Sequence, residues 1–244
     1  VPEYVYGIVE PGAALPAAPG LGGGRIRSVA GQSAAALVSD IVEDRLQLGR
    51  DEVLAHSHVL EEALRHGTVL PMRLGIVMGS DEEVRDRLLE RHDTELRDQL
   101  VRFRGKFEAD VRATYEEDAL MREVIGSDPE IARLRASLQG RPDDATYYER
   151  IQLGQLVAGA ADRIRQADEE KLMSALRQVC LEARVSAPGH ERVALNAAFL
   201  LDEETTQEFD EVLEAIAEGQ AGRLRFRYTG PLPPHSFVEL GETA

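Results

Sequence analysis

Tryptophan is absent, and cysteine occurs once, as Cys180. A single thiol excludes an internal disulfide framework and fits a reducing compartment. Cys180 itself reads as a small apolar filler on a helix rather than a nucleophile. Cations are scarce beside anions: 28 Lys and Arg stand against 44 Asp and Glu, for a formal net charge of −16. Binding a phosphate backbone needs clustered Lys and Arg, so no nucleic-acid partner is expected. Docking on anionic lipid is disfavoured on the same ground. No stretch reaches the ~18 consecutive apolar residues of a membrane span, so no membrane partner is expected. No signal-peptide pattern is visible, which makes the cytoplasm the expected location. A phosphate-loop ending is missing as well. Gly22-Gly23-Gly24 follows a strand, but no Gly-Lys-Ser/Thr closes it, and Arg25 to Val29 has strand character. No cofactor is expected.

What is present can bury a core. Apolar residues make up 43% of 244 positions, enough for one large domain or two of about 100 residues each. The longest apolar run is Thr68-Val69-Leu70-Pro71-Met72-Arg73-Leu74-Gly75-Ile76-Val77-Met78. Thr68 to Leu70 has the β-branched character of a strand. Pro71 has no N–H for a ladder, which predicts a strand end or an edge strand. Such a run is either a core strand that stops at Pro71 or a surface that a partner could extend.

Along the chain, Tyr4 to Val9 reads as a strand and the Pro, Gly and Ala stretch from Pro11 to Gly24 as a flexible loop. Arg25 to Val29 and Ala34 to Val42 suggest a hairpin. A helix follows with Asp51 as N-cap, Val53, Leu54, Leu60 and Leu64 near helical spacing, and Gly67 as its stop. His56 and His58 at i and i+2 point to different faces and cannot easily share a metal. Together with His66 they are expected to face solvent or a partner. Ser80 and Glu83 form a capping box for a helix whose stripe is Val84, Leu88, Leu89, Leu96 and Leu100, running toward Phe103.

After Gly105 the period changes to two, with Phe107, Ala109, Val111 and Ala113 alternating with polar residues. Short helices are expected over 118–125 and from Asp128-Pro129 to Leu138. Asp143-Asp144 then opens a long amphipathic segment reaching Glu182. Gly154 and Gly159 lie at its centre, each costing about 1 kcal/mol relative to alanine, so close packing or a kink should justify them. Strands near Val185 and over Val193 to Leu201, a helix after Asp202, and a strand of Leu224, Phe226 and Tyr228 complete the order. With the broken helices set aside, this order is the split βαβ arrangement. The predicted class is α+β. An N-terminal small mixed sheet with helices covers 1–104, a C-terminal ferredoxin-like (split βαβ) domain with a long helical insertion covers 105–229, and a Pro-rich tail covers 230–244. In that tail Pro231, Pro233 and Pro234 hold an extended backbone, either packed on its own domain or free to dock.

With both ends in view, the sequence resembles the gas vesicle protein F/L family. Three separated blocks carry the resemblance. They are Tyr4 to Val9; His58 to Glu61 with Thr68 to Gly75; and Asn196 to Leu201 with Gly230-Pro231-Leu232-Pro233-Pro234-His235-Ser236-Phe237. Leu74, Leu232, His235 and Ala109 depart from that family's usual aromatic residues. The resemblance implies an accessory protein of vesicle assembly that is not an enzyme. Its implied partners are the hydrophobic gas vesicle shell protein and other accessory proteins, in the cytoplasm and in the vesicle. The partner-contact candidates are Leu70, Pro71, Arg73, Leu74, Gly230, Pro231, Pro233, Pro234, Ser236 and Phe237. Two alternatives remain. One is an enzymatic or small-molecule-binding ferredoxin-like domain, which a polar pocket beside Asn196 would support. The other is a protein-interaction hub acting through the long helices.

Overall fold

The structure, a computed structural model, describes residues 1–41, 49–116, 118–142 and 144–239. The expected strand end at Val42, the helix opening at Asp143 and tail residues 240–244 lie outside the described residues. The chain packs as two compact units. The first takes Val1–Ala109, Leu200–Glu203 and the described part of Thr229–Ala244; the second takes Asp110–Phe199 and Glu204–Tyr228.

The first unit is built on β1 (Glu3–Val9), whose residues are buried throughout. Burial on both faces explains why Tyr4 to Val9 is nearly unbroken in apolar character rather than alternating. Along one edge β1 pairs with β3 (Ala35–Asp40), and β3 pairs with β2 (Arg27–Ala30) as the expected hairpin. Along its other edge β1 pairs with β4 (Val69–Pro71) and β5 (Val77–Met78). All four pairings are antiparallel. Helix α1 (Arg50–His66) lays Val59, Leu60 and Ala63 on the core with Tyr4, Tyr6 and Leu37. Its first turn differs from expectation. Gly49 rather than Asp51 is the N-cap, with its N–H on Glu52 Oε2 at 3.0 Å, and Val53 and Leu54 face solvent. The segment read as a loose loop is tied down: the Leu21 N–H bonds the Tyr6 hydroxyl at 2.7 Å and the Ala18 N–H bonds Glu62 at 2.6 Å.

The Ser80 cap forms as expected, its hydroxyl accepting from the Glu83 N–H at 3.2 Å. The helix behind it is interrupted. Helix α2 (Asp81–Glu83) opens into a wide π-turn over Val84–Glu90 before α3 (Asp93–Arg102). The wider turn still keeps Val84, Leu88, Leu89, Leu96, Leu100 and Phe103 in the interior.

The second sheet has the order β7-β8-β6-β9, from β6 (Lys106–Tyr115), β7 (Glu182–Val185), β8 (Val193–Asp202) and β9 (Leu224–Leu232). In chain order its strands stand 2-3-1-4, the split βαβ order. Three helices fill the first crossover: α4 (Ala119–Ser127), α5 (Pro129–Leu138) and α6 (Tyr147–Leu176). Asp128 caps α5 by accepting from the Glu130 N–H at 2.9 Å. The long segment stops at Leu176, so Cys180 lies half-buried in the bend after it rather than on a helix. Helix α7 (Glu203–Gly219) supplies the second crossover. A polar clamp ties the helices of this unit. Arg223 bonds Asp168 with both terminal nitrogens, at 3.0 and 2.7 Å, and Glu123 with Nε at 2.9 Å, while the Tyr115 hydroxyl donates to Asp168.

Candidate functional site

The apolar run that dominates the sequence becomes two short strands with a loop between them. Pro71 lies opposite Gly7 and Val77 opposite Tyr4, so both strands lie on β1, and Arg73, Leu74 and Gly75 turn outward between them. A sealed polar chain pins this loop. The Gly75 N–H donates to the Tyr4 hydroxyl at 3.0 Å, and that hydroxyl lies 2.9 Å from His56 Nδ1. A hydroxyl has one proton. The imidazole donates to the Met72 backbone, so in its neutral form Nε2 carries the proton, and Nδ1 accepts from the Tyr4 hydroxyl, whose oxygen in turn accepts from Gly75. His56 is thus an interior residue, not the solvent-facing or partner-facing one expected. Burial, with a smaller contribution from nearby His235, lowers its pKa to about 4 against the pull of Met72. Burial likewise pushes the Tyr4 phenol up to about 12. Arg73 therefore stands in solvent on a rigid base.

The tail is anchored as firmly. Strand β9 runs on through Leu232, crossing a cis Gly230–Pro231 bond, and Pro233, Pro234 and Phe237 are buried beyond it. Ser236 gives both of its donors to one carboxylate. Its N–H reaches Glu108 Oε2 at 2.6 Å and its hydroxyl reaches Oε1 at 2.8 Å. The alternation of β6 put Glu108 on the solvent face, yet it is 3% exposed. Nothing local to β6 signals this, because the partner lies 128 residues away.

Of the ten contact candidates, Leu70, Pro71, Pro233, Pro234 and Phe237 are interior and serve the fold. Leu74 and Ser236 are half-buried, and Arg73, Gly230 and Pro231 are exposed. A groove of about 810 Å³ in the first unit joins the ends of the two sequence blocks. Gly67 and Thr68 line it where the Thr68–Gly75 block begins, and Gly230, Pro231 and Leu232 where the tail block begins. Leu64 and Phe107 add apolar surface; Arg65, His66, Arg104 and Lys106 face Glu10 and Glu61 around it. Arg104 is held on Glu10 Oε1 at 2.7 and 3.2 Å. Gly230 fits closely here: a Cβ would lie a tight 3.3 Å from Ala109 and from the Glu108 carbonyl. The groove does not include Arg73 or Leu74.

Ser236 is bound to Glu108 rather than to the adjacent His235. Burial pushes the Cys180 thiol up, partly offset by Arg177. Asn196 bonds the Ala187 carbonyl at 3.2 Å, in a strand that is otherwise buried from Val193 to Leu201. Among the described residues no group of three His, Cys, Asp or Glu is placed to hold a metal, and no helix is long and apolar enough to cross a membrane.

These features define a class: a two-unit α+β protein that offers a fixed loop and a charged-rim groove, both supported by buried polar bonds. The particular family follows from comparison with known proteins. The family model described as "Gas vesicle synthesis protein GvpL/GvpF" matches residues 3–239, and the chain belongs to that family. It is 32% identical to "Gas vesicle protein F" of a Streptomyces species, over 97% of this chain and 99% of that one. The crystal structure of GvpF from Microcystis aeruginosa superposes with a TM-score of 0.79 at 25% identity, covering 98% of this chain and 100% of that one. The crystal structure of GvpF from Anabaena sp. PCC7120 shares the fold, with a TM-score of 0.83 at 24% identity over 99% of each chain. The family is one of gas vesicle formation.

Proposed function

We propose that this protein binds the hydrophobic shell protein and other accessory proteins during gas vesicle assembly in the cytoplasm, and that it catalyses no reaction. A shell subunit with a gas-facing apolar surface is insoluble until placed, and a soluble acidic partner can hold it until then. The observation that carries this reading is the groove. It brings the start of the tail block, Gly230 to Leu232, together with the start of the Thr68–Gly75 block, with apolar walls that suit a protein segment. The Arg73 loop is a second accessible element, preorganised by Tyr4 and His56, and preorganisation lowers the entropy cost of binding. A binding role rather than a catalytic one is supported by the fate of the reactive groups, since Ser236, His56 and Tyr4 are committed to structural bonds.

Co-purification of the shell protein with Arg73→Ala and with Lys106→Glu tests this. Both variants are expected to melt like the parent and to retain less shell protein. Equal recovery with parent and both variants would sink the proposal, as would normal vesicles in cells lacking the protein. If Arg73→Ala unfolds the chain, the loop is structural and the groove variant alone decides.

A further inference from the structure

Among the described residues, the first crossover of the second unit leaves much of one apolar face of α6 uncovered, although Ala161 at its end packs on the core. Tyr147, Ile151, Gly154, Ala158 and Ala161 fall at i, i+4, i+7, i+11 and i+14 of α6, which places them in one stripe about 21 Å long. The large members are open to solvent, Tyr147 at 61% and Ile151 at 42%, with Tyr148 beside them at 81%. The small members form the floor of a groove of about 420 Å³ whose other wall is Leu120 and Met121 of α4, and Met121 is 45% exposed. Gly154 answers to nothing among the described residues: a Cβ built there meets no atom within 4 Å. A mid-helix glycine costs about 1 kcal/mol, and here no internal contact offsets it. What Gly154 and Ala158 do provide is room for a second helix backbone to approach closely.

The rim sets the charge of the occupant. Its two arginines are already engaged: Arg165 with Asp162 and the Glu191 carbonyl, and Arg192 with the Tyr115 carbonyl. Glu116 is paired with Arg225. Asp118 and Glu191 line the same groove, and their carboxylates have no pair among the described residues. Arg192 keeps its charge, since a carbonyl does not neutralise it, but the two carboxylates outnumber it, so the trough is apolar along its floor and modestly anionic at its edge.

We propose that this groove docks an amphipathic helix from a partner protein, with bulky apolar residues on one face and lysine or arginine flanking them. The apolar side chains seat over Gly154 and Ala158, and the flanking cations meet Asp118 and Glu191. This surface is separate from the groove of the first unit and does not depend on the role proposed for it.

Fluorescence anisotropy with the full chain tests the proposal. The probe is a labelled synthetic helix of about five turns, with a leucine stripe flanked by lysines, and the control is the same helix flanked by glutamates. The lysine helix is expected to bind at least about tenfold more tightly, a difference of about 1.4 kcal/mol. Ala158→Leu and Gly154→Leu fill the trough and are expected to weaken binding about tenfold or more, with circular dichroism retained and melting no lower than the parent's. Asp118→Asn with Glu191→Gln should weaken it and reduce its salt dependence. Neutralising Glu208 and Glu211 on α7 should leave binding unchanged. The proposal is overturned if the trough-filling variants bind as the parent does, or if the α7 variant loses binding instead. It is also overturned if the free chain sediments as a dimer that Ala158→Leu dissociates, because the occupant is then a second copy.

Discussion

His56 is neutral inside the first unit, and that ties folding to pH. In the unfolded chain its pKa is the ordinary 6.5, and in the folded chain it is about 4. Above 6.5 both states are neutral and the residue imposes no penalty. As pH falls from 6.5 toward 4, the unfolded chain takes up a proton that the folded chain refuses. Stability therefore drops, by about 3 kcal/mol in total at 1.36 kcal/mol per unit. Urea melts of the parent and His56→Gln between these pH values should differ in slope, the variant losing this component. A parallel pair of slopes would mean that His56 is accessible to protons in the fold. Glu3 behaves in the opposite sense. It is buried beside Arg27, Asp81 and Asp40, and burial foremost raises its pKa. Its charged form is the disfavoured one, so that cost appears as pH rises through the ordinary carboxylate range. Glu3→Gln is expected to melt at a higher temperature than the parent at neutral pH. Arg223 bridges two carboxylates in the second unit, Asp168 and Glu123. Burial alone would lower its pKa, but Asp168 and Glu123 reverse that and push it up. Arg223→Ala leaves Asp168 half-buried without its cation and should cost roughly 2–3 kcal/mol in denaturant melts.

Among the elements, β1 and α6 show opposite uses of glycine. At Gly7 a Cβ would stand 2.7 Å from Leu60 and 3.0 Å from the Leu70 carbonyl. Gly7→Ala should therefore overpack the strand and cost about 1–3 kcal/mol. At Gly154 the space is open, and Gly154→Ala should stabilise α6 by up to about 1 kcal/mol. Thermal melts of the two variants should move in opposite directions. The contrast shows what the sequence carried. Periodicity marked Val84, Leu88, Leu89, Leu96 and Leu100 as interior even though a π-turn breaks their helix, because burial selects residue type whatever the local turn width. The split βαβ order was legible because the period changes from 3.6 to two at β6 and alternates thereafter. Glu108 and His56 were not legible as interior, nor Asp168 as half-buried. Each is a polar residue made tolerable by a partner far along the chain: Ser236, Tyr4, and Tyr115 with Arg223. No window of neighbouring residues contains that information. The groove was hidden for the same reason, since Thr68 and Pro231 meet only after folding.

At the scale of the whole molecule, a net charge of −16 sets the background for every contact. Such an excess disfavours compaction through self-repulsion, and ~0.15 M salt screens it beyond about 8 Å. The melting temperature is expected to rise when salt is added from a dilute buffer; a fall would point to local ion pairs, such as Arg104 with Glu10, as the dominant electrostatic effect. The first unit also has a property set by chain order. Its segments come from both ends of the sequence, with Ser236 held by Glu108 and the tail lining the groove. A ribosome makes these pieces far apart in time, at roughly 5–20 residues per second. Both units close late, since the second ends at Tyr228 and the groove needs the residues just after it. The groove's wall is completed only when residues 229–239 emerge, so a nascent chain has no finished groove to offer a hydrophobic client. The tail thus acts as a timer: competence to bind there begins after translation has passed the last strand.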